Sequence, residues 1–216
     1  MKTDTELKRD IEAELAWDPS INANAIGVAV KDGIVTLTGH IDTYAEKRRA
    51  EKALRRVAGV RAIALELDVR LSPDHECSDA DIAEAARAAL RGNTSVPERA
   101  IRLTVEKGWI TIEGEVEWEY QRKGIDQALR HLMGVVGLSN QVKLKLAPLP
   151  SDVQQRIQGA LVRQALRDAN RVKVEIRNGI VSLTGSVHSW QERDAARGAA
   201  FSAPGVSGVV NELTVA

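Results

Sequence analysis

The stretch DGIVTLTG (Asp32–Gly39) decides how this chain is read, because it is written three times. It returns as KGWITIEG (Lys107–Gly114) and as NGIVSLTG (Asn178–Gly185). Nine glycines fall into three sets: Gly33, Gly39 and Gly59; Gly108, Gly114 and Gly134; Gly179, Gly185 and Gly205. Within every set the intervals are 6 and 20 residues. Self-similarity at fixed spacing marks repeated structural units. The first glycine of each set follows Asp32, Lys107 or Asn178. Asp-Gly and Asn-Gly favour the two-residue hairpin turn, whose central residues both need positive φ. Lys107 meets that demand less well. Upstream, Ile26, Val28 and Val30 alternate with small or polar residues, as do Ile101, Leu103 and Val105, and Val172, Val174 and Ile176. Downstream, Val35 and Leu37, Ile110 and Ile112, and Val181 and Leu183 continue the alternation. Period two on both sides of a turn predicts a half-buried antiparallel hairpin.

Beyond the second glycine the period becomes helical. Ala50, Ala53, Leu54 and Val57 form one apolar stripe, matched by Ile125, Ala128, Leu129 and Leu132 and by Ala196, Ala199, Ala200 and Ala203. Thr43 with Glu46, and Ser189 with Glu192, have capping-box spacing; Trp118 takes the cap position in the second copy, with Gln121 kept. Gly59, Gly134 and Gly205 are expected to end these helices as C′ residues. A last strand follows each: AIALELDV, LSNQVKLKL and VVNELTV. Ahead of each hairpin, Leu7, Ile11 and Leu15, then Ile82, Ala86 and Leu90, then Val153, Ile157 and Leu161 predict another helix. Asp10, Asp81 and Asp152 read as equivalent openings, which makes the first copy shorter ahead of its hairpin.

The fold class is therefore α+β: three tandem α-β-β-α-β modules, each a three-stranded mixed sheet with two helices on one face. The second and third strands should be parallel, through a right-handed crossover. The modules are expected at 1–71, 75–147 and 148–216, joined by SPDHECS and APLPS. Units of ~70 residues bury only about 60% of their unfolded surface, so packing between modules is expected.

Thirty basic and thirty acidic side chains cancel, so no global field recruits nucleic acid or a membrane. Nucleic acid is disfavoured further because the strands offer no aromatic stacking platform. No window approaches the ~18 apolar residues of a membrane span. The N-terminal MKTDTELKRDIEAELAWDPS lacks the roughly 7–15 apolar residues of a secretory signal. A cytoplasmic location is expected, or a periplasmic one if a signal has been removed. The lone Cys77 excludes an intrachain disulfide.

The motifs GIVTLTG, GWITIEG and GIVSLTG, with VAGV, MGVV and APGV and the closing VVNELTV, resemble the BON family. The resemblance covers nearly the whole chain, as three copies. It implies the α-β-β-α-β fold already read from periodicity. It also implies a non-catalytic module associated with phospholipid or membrane-surface binding and with envelope stress. Many relatives are periplasmic, and this chain departs from them in showing no export signal. Asn140 and Asn211 stand at a frequent family position in the last strand, where the first copy has Leu65.

The strongest charged element is the second helix of the first copy. From Tyr44 to Arg61 it carries Lys47, Arg48, Arg49, Lys52, Arg55, Arg56 and Arg61 against Glu46 and Glu51, a local net of +5. A basic outer face of this kind can dock on anionic headgroups at about 1 kcal/mol per residue. Lys47, Arg48, Arg49, Lys52, Arg55 and Arg56 are the candidate contacts; a solvated or salt-bridged face is the alternative. Ile34, Trp109 and Ile180 alternate with core positions and should form an apolar contact face, for a protein partner or for packing between modules. Trp17, Trp118 and Trp190, near helix ends, read as packing anchors. His75 and Cys77 in DHEC lack companions at metal-ligand spacing, so no metal is expected. Glu113, Glu115, Glu117 and Glu119 read as a solvent face rather than a cation site. No nucleophile elbow or phosphate loop is present, so neither catalysis nor a cofactor is expected.

Overall fold

A computed structural model of the chain describes residues 2–145, 150–163 and 171–215. The expected boundary at 147/148, inside APLPS, lies outside the described residues. The first module runs α1 (Asp4–Trp17), β1 (Ile26–Lys31), β2 (Ile34–Ile41), α2 (Tyr44–Leu54) and β3 (Ala62–Val69). The second runs α3 (Asp79–Arg91), β4 (Ile101–Glu106), β5 (Trp109–Val116), α4 (Glu119–Leu129), β6 (Gly137–Asn140) and β7 (Lys143–Leu144). The third runs α5 (Val153–Arg163), β8 (Val172–Arg177), β9 (Ile180–Val187), α6 (Trp190–Phe201) and β10 (Gly208–Val215). The order is α-β-β-α-β three times, and the α+β class holds.

Each hairpin feeds the middle strand of its sheet. β1 pairs antiparallel with β2, Val30 opposite Val35, and β3 pairs parallel with β2, Val35 beside Ile63. β8, β9 and β10 repeat this arrangement. In the second module the last strand is interrupted. β6 and β7 both pair parallel with β5, separated by Gln141 and Val142. LSNQVKLKL is thus two short strands rather than one.

By compactness the chain divides into two units. One comprises Met1–Asn93, Leu103–Ile112 and Asp126–Asn140; the other comprises Thr94–Arg102, Glu113–Ile125 and Gln141–Ala216. The dividing line runs through the second module. In the first unit, Leu7, Ile11 and Leu15 of α1 lie buried with Val35, Leu37, Ala50, Ala53 and Leu54, all essentially inaccessible. In the second, Ile157 and Leu161 lie with Val181, Leu183, Ala196 and Ala200. Each large aliphatic buried this way contributes about 1.5–3 kcal/mol.

The three hairpin turns have both residues at positive φ: Asp32 and Gly33 at 52° and 76°, Lys107 and Gly108 at 50° and 75°, Asn178 and Gly179 at 50° and 80°. A carboxylate braces two of them. Asp4 accepts from the backbone N–H of Asp32 (2.8 Å) and Gly33 (3.1 Å). Asp79 accepts from those of Lys107 (2.8 Å) and Gly108 (2.9 Å). These two satisfied donors help Lys107 tolerate its left-handed backbone. Pro150 occupies the same offset from the third turn.

This brace corrects the register of the opening helices. Asp4 and Asp79 both lie 29 residues before their turn glycine, so the first module is not shorter. Asp10 lies within α1 and pairs with Lys2. The true counterpart of Asp81 is Glu6. Thr3 and Glu6 form a capping box, and Ser78 with Asp81 caps α3 in the same place.

Gly59, Gly134 and Gly205 are not the residues that end the helices. α2, α4 and α6 stop at Leu54, Leu129 and Phe201, and each glycine sits in the following turn at positive φ. That turn is tied to the hairpin, because the N–H groups of Arg61, Val136 and Ser207 donate to the carbonyls of Gly33, Gly108 and Gly179.

Candidate functional site

The cations of α2 were read from sequence as one outer face; their partners separate them. Lys47 donates from Nζ to the Leu67 carbonyl at 2.7 Å. Arg193, at the matching place in α6, donates from Nε to the matching Leu213 carbonyl at 3.1 Å. Recurrence of this bond makes Lys47 a clamp between helix and third strand. Asn211 strengthens the clamp in the third module by donating from Nδ2 to the Arg193 carbonyl at 3.1 Å.

Arg48 and Arg55 share one carboxylate, Glu51, at 2.5 and 2.8 Å. Arg56 pairs with Glu14 of α1 at 2.6 Å. Lys52 is exposed. Glu46, counted in sequence against the cations, turns inward. It is 5% exposed and accepts from the backbone N–H of Asn22 (2.7 Å) and Asp42 (3.2 Å). Glu46 therefore ties the loop before β1 to the start of α2 and does not neutralise the outer face. That face is Arg48, Lys52, Arg55 and Arg56 against Glu51 and Glu14, a net of +2. Ion pairs at partly exposed sites contribute little stability.

Arg49 is apart from this group. Its Nε is buried without a hydrogen-bond partner, and one terminal nitrogen reaches the Ser20 carbonyl at 3.4 Å. It borders a cleft of about 260 Å³, which also takes Tyr44 from the start of α2 and His75 from the linker. The opposite wall is the turn after α4, with Arg130, His131, Leu132 and Val135. Arg130 pairs with Asp126, one helical turn back. Ser72 Oγ lies 3.1 Å from His75 Nδ1 and orients that ring. Burial pushes the Tyr44 phenol above the ordinary tyrosine range, so it stays a neutral hydrogen-bonding group.

Ile34, Trp109 and Ile180 are each nearly half exposed, at 49%, 49% and 44%. Their parallel neighbours in register are Ala62, Gly137 and Gly208. The Trp109 ring lies so close over Gly137 that no side chain fits there. Of the helix-end tryptophans, Trp17 is 83% exposed and anchors nothing. Arg193 lies over the Trp190 ring at 5.1 Å. Glu119 departs from the solvated row of its neighbours: it is 7% exposed and pairs with Arg122 at 2.7 Å. Among the described residues, no group of three His, Cys, Asp or Glu could hold a metal ion, and no helix is long and apolar enough to cross a membrane.

Sequence reasoning named Arg49 only as one more cation and missed the cleft. Its walls come from segments some 85 residues apart. The signal that was available is the repeat alignment, in which Arg49 matches Gly124 and Ala195.

Osmotically-inducible protein Y of Escherichia coli (strain K12) is 23% identical over 146 residues, covering 66% of this chain and 73% of that protein. Among solved structures, the C-terminal domain of CdsD, a structural protein of the Chlamydia trachomatis type III secretion system, aligns over all of both chains at 19% identity, with a TM-score of 0.27. The BON domain matches residues 3–70, 78–145 and 151–216. With three such matches spanning nearly its whole length, the chain belongs to the BON domain family.

Proposed function

We propose that the chain is a non-catalytic, stress-associated binding protein that engages anionic phospholipid surfaces through the outer face of α2. The observation that carries this reading is the cluster of Arg48 and Lys52 on α2 with Arg55 and Arg56 just past its end, a formal net of +2 over these four and their partners Glu51 and Glu14, in a chain of zero formal charge. Basic side chains near an anionic leaflet contribute about 1 kcal/mol each, and such attraction weakens as salt rises. The stress association is carried over from the osmotically inducible relative. Lys47 is left out of the contact set because its ammonium is held at the Leu67 carbonyl of the third strand. The test is co-sedimentation with anionic and neutral vesicles at low and moderate salt. Salt-sensitive binding to anionic vesicles, weakened by Lys52→Glu with Arg56→Gln, is expected. Equal sedimentation of wild type and variant would remove α2 from the contact.

A second reading is a chaperone-like or scaffolding role, in which the apolar sheet positions meet a protein partner. Its support is the exposure of Ile34, Trp109 and Ile180. Binding that persists at high salt and is lost in Trp109→Ser would favour it over the first.

A further inference from the structure

The cleft beside α2 has a chemistry that the fold does not require. Its polar lining is Thr43, Tyr44, Arg49, His75, Arg130 and His131, and no carboxylate lines it among the described residues. The repeat supplies a control. A second cleft, of about 220 Å³, is built from the corresponding segments, the start of α4 and the turn after α6. There Glu117, Trp118, Lys145 and Phe201 stand in the lining, so its one cation is accompanied by a carboxylate. The module closes a cleft either way, so the two arginines and two histidines of the first are an addition. Arg49 shows this most directly, since Gly124 and Ala195 fill its place elsewhere.

Arg49 is also incompletely satisfied. A buried guanidinium N–H without an acceptor is costly, and an incoming oxyanion would supply one. Thr43, Tyr44 and Ala45 bring the N-terminus of α2 to the same cleft, and the dipole of an 11-residue helix favours negative charge there. Leu71, Leu132 and Val135 add an apolar wall. The volume is below the roughly 300–1,000 Å³ of sites for drug-sized ligands, which suits a head group with a few carbons and not an acyl chain.

We propose that this cleft is a binding site for a small phosphate ester, with Arg49 as its principal anion contact and His75, His131 and Tyr44 as hydrogen-bonding groups. The site is independent of the vesicle-binding reading, since a charged helix face can meet a membrane while the cleft stays empty.

The experiment follows the His75 and His131 side-chain NMR signals of the full chain during titration with sn-glycerol 3-phosphate, with inorganic phosphate and glycerol as parallel probes. Saturable shifts with glycerol 3-phosphate and none with glycerol are expected. Arg49→Gln should weaken binding by about tenfold or more, the loss of one charge-assisted contact. Lys31→Gln, at the exposed end of β1 and outside the cleft, should leave it unchanged. Arg49→Ala, which installs the residue found at 195, checks that any loss is not misfolding. Absence of saturable shifts, or wild-type affinity in both Arg49 variants, overturns the proposal. Anionic vesicles distinguish the source. Vesicle binding that falls in Arg49→Gln identifies a lipid head group; vesicle binding that is unchanged, with glycerol 3-phosphate binding lost, identifies a free phosphate ester and leaves the α2 surface reading standing.

Discussion

The two clefts are made from the same parts and furnished differently. In each, the start of the second helix of one module meets the turn that follows the second helix of the next. Arg130 borders the first, paired with Asp126; Phe201, the matching residue, borders the second, with Arg122 and Arg197 each 5.3 Å from its ring centroid. One joint is lined by arginine and imidazole, the other by rings with one carboxylate and one lysine. The backbone frame is held by groups common to the modules: the turn glycines and the hydrogen bond from the third-strand lead to the turn carbonyl. Side chains at the joint are therefore free to diverge without loss of the fold.

The comparison breaks first at Phe201. It is 5% exposed, and Phe201→Ala should cost about 3–5 kcal/mol in urea unfolding, through lost burial and the space left behind. Arg130→Ala, removing a side chain that is 27% exposed and paired with Asp126 of the preceding helical turn, should cost about 1 kcal/mol or less. Similar losses at both places would mean that the first cleft is also part of the packed core.

How much of this was legible follows from range. The hairpins were readable from period two and the turn glycines, since both signals are local. Asp10 is a misleading anchor for the register of the opening helices, because an acidic residue on a solvated helix face recurs without structural constraint. The apolar residues Leu7, Ile82 and Val153 all lie 26 before their turn glycine and already held the correct alignment. The Asp4 and Asp79 braces were invisible, because a carboxylate bonding 29 residues away leaves no pattern in either segment. Partners of the α2 cations were partly readable: Arg48 and Arg55 stand at i−3 and i+4 from Glu51, the spacing of helical ion pairs. Glu14 and the Leu67 carbonyl come from other elements and could not be read so.

A smaller effect is expected at the braces. Asp79→Ala should cost about 1–2 kcal/mol and speed hydrogen exchange at the Gly108 amide, with Asp4→Ala doing the same at Gly33. Unchanged exchange would assign the stability of those turns to glycine alone. The smallest concerns Tyr44 at the rim of the first cleft. Its folded-state value is raised by burial, so the folded chain holds the phenol proton more tightly than the unfolded chain. That contribution is complete below the ordinary tyrosine range and is lost as pH rises through the raised value. Ultraviolet titration of wild type against Tyr44→Phe should show one phenol ionising late; an ordinary titration would place the ring in solvent.

The hairpin turns also set where this protein ages. The peptide nitrogen after an Asn or Asp can attack the side-chain carbonyl and close a succinimide, and a following glycine obstructs that attack least. At Asp32 the attacking nitrogen, that of Gly33, is engaged by Asp4. Lys107 has no carbonyl to attack. Asn178 precedes Gly179 with Pro150 where the bracing carboxylate would stand. Peptide mapping of stored protein should therefore find deamidation at Asn178 before isomerisation at Asp32, which makes the third module the one that sets the chemical lifetime of the chain.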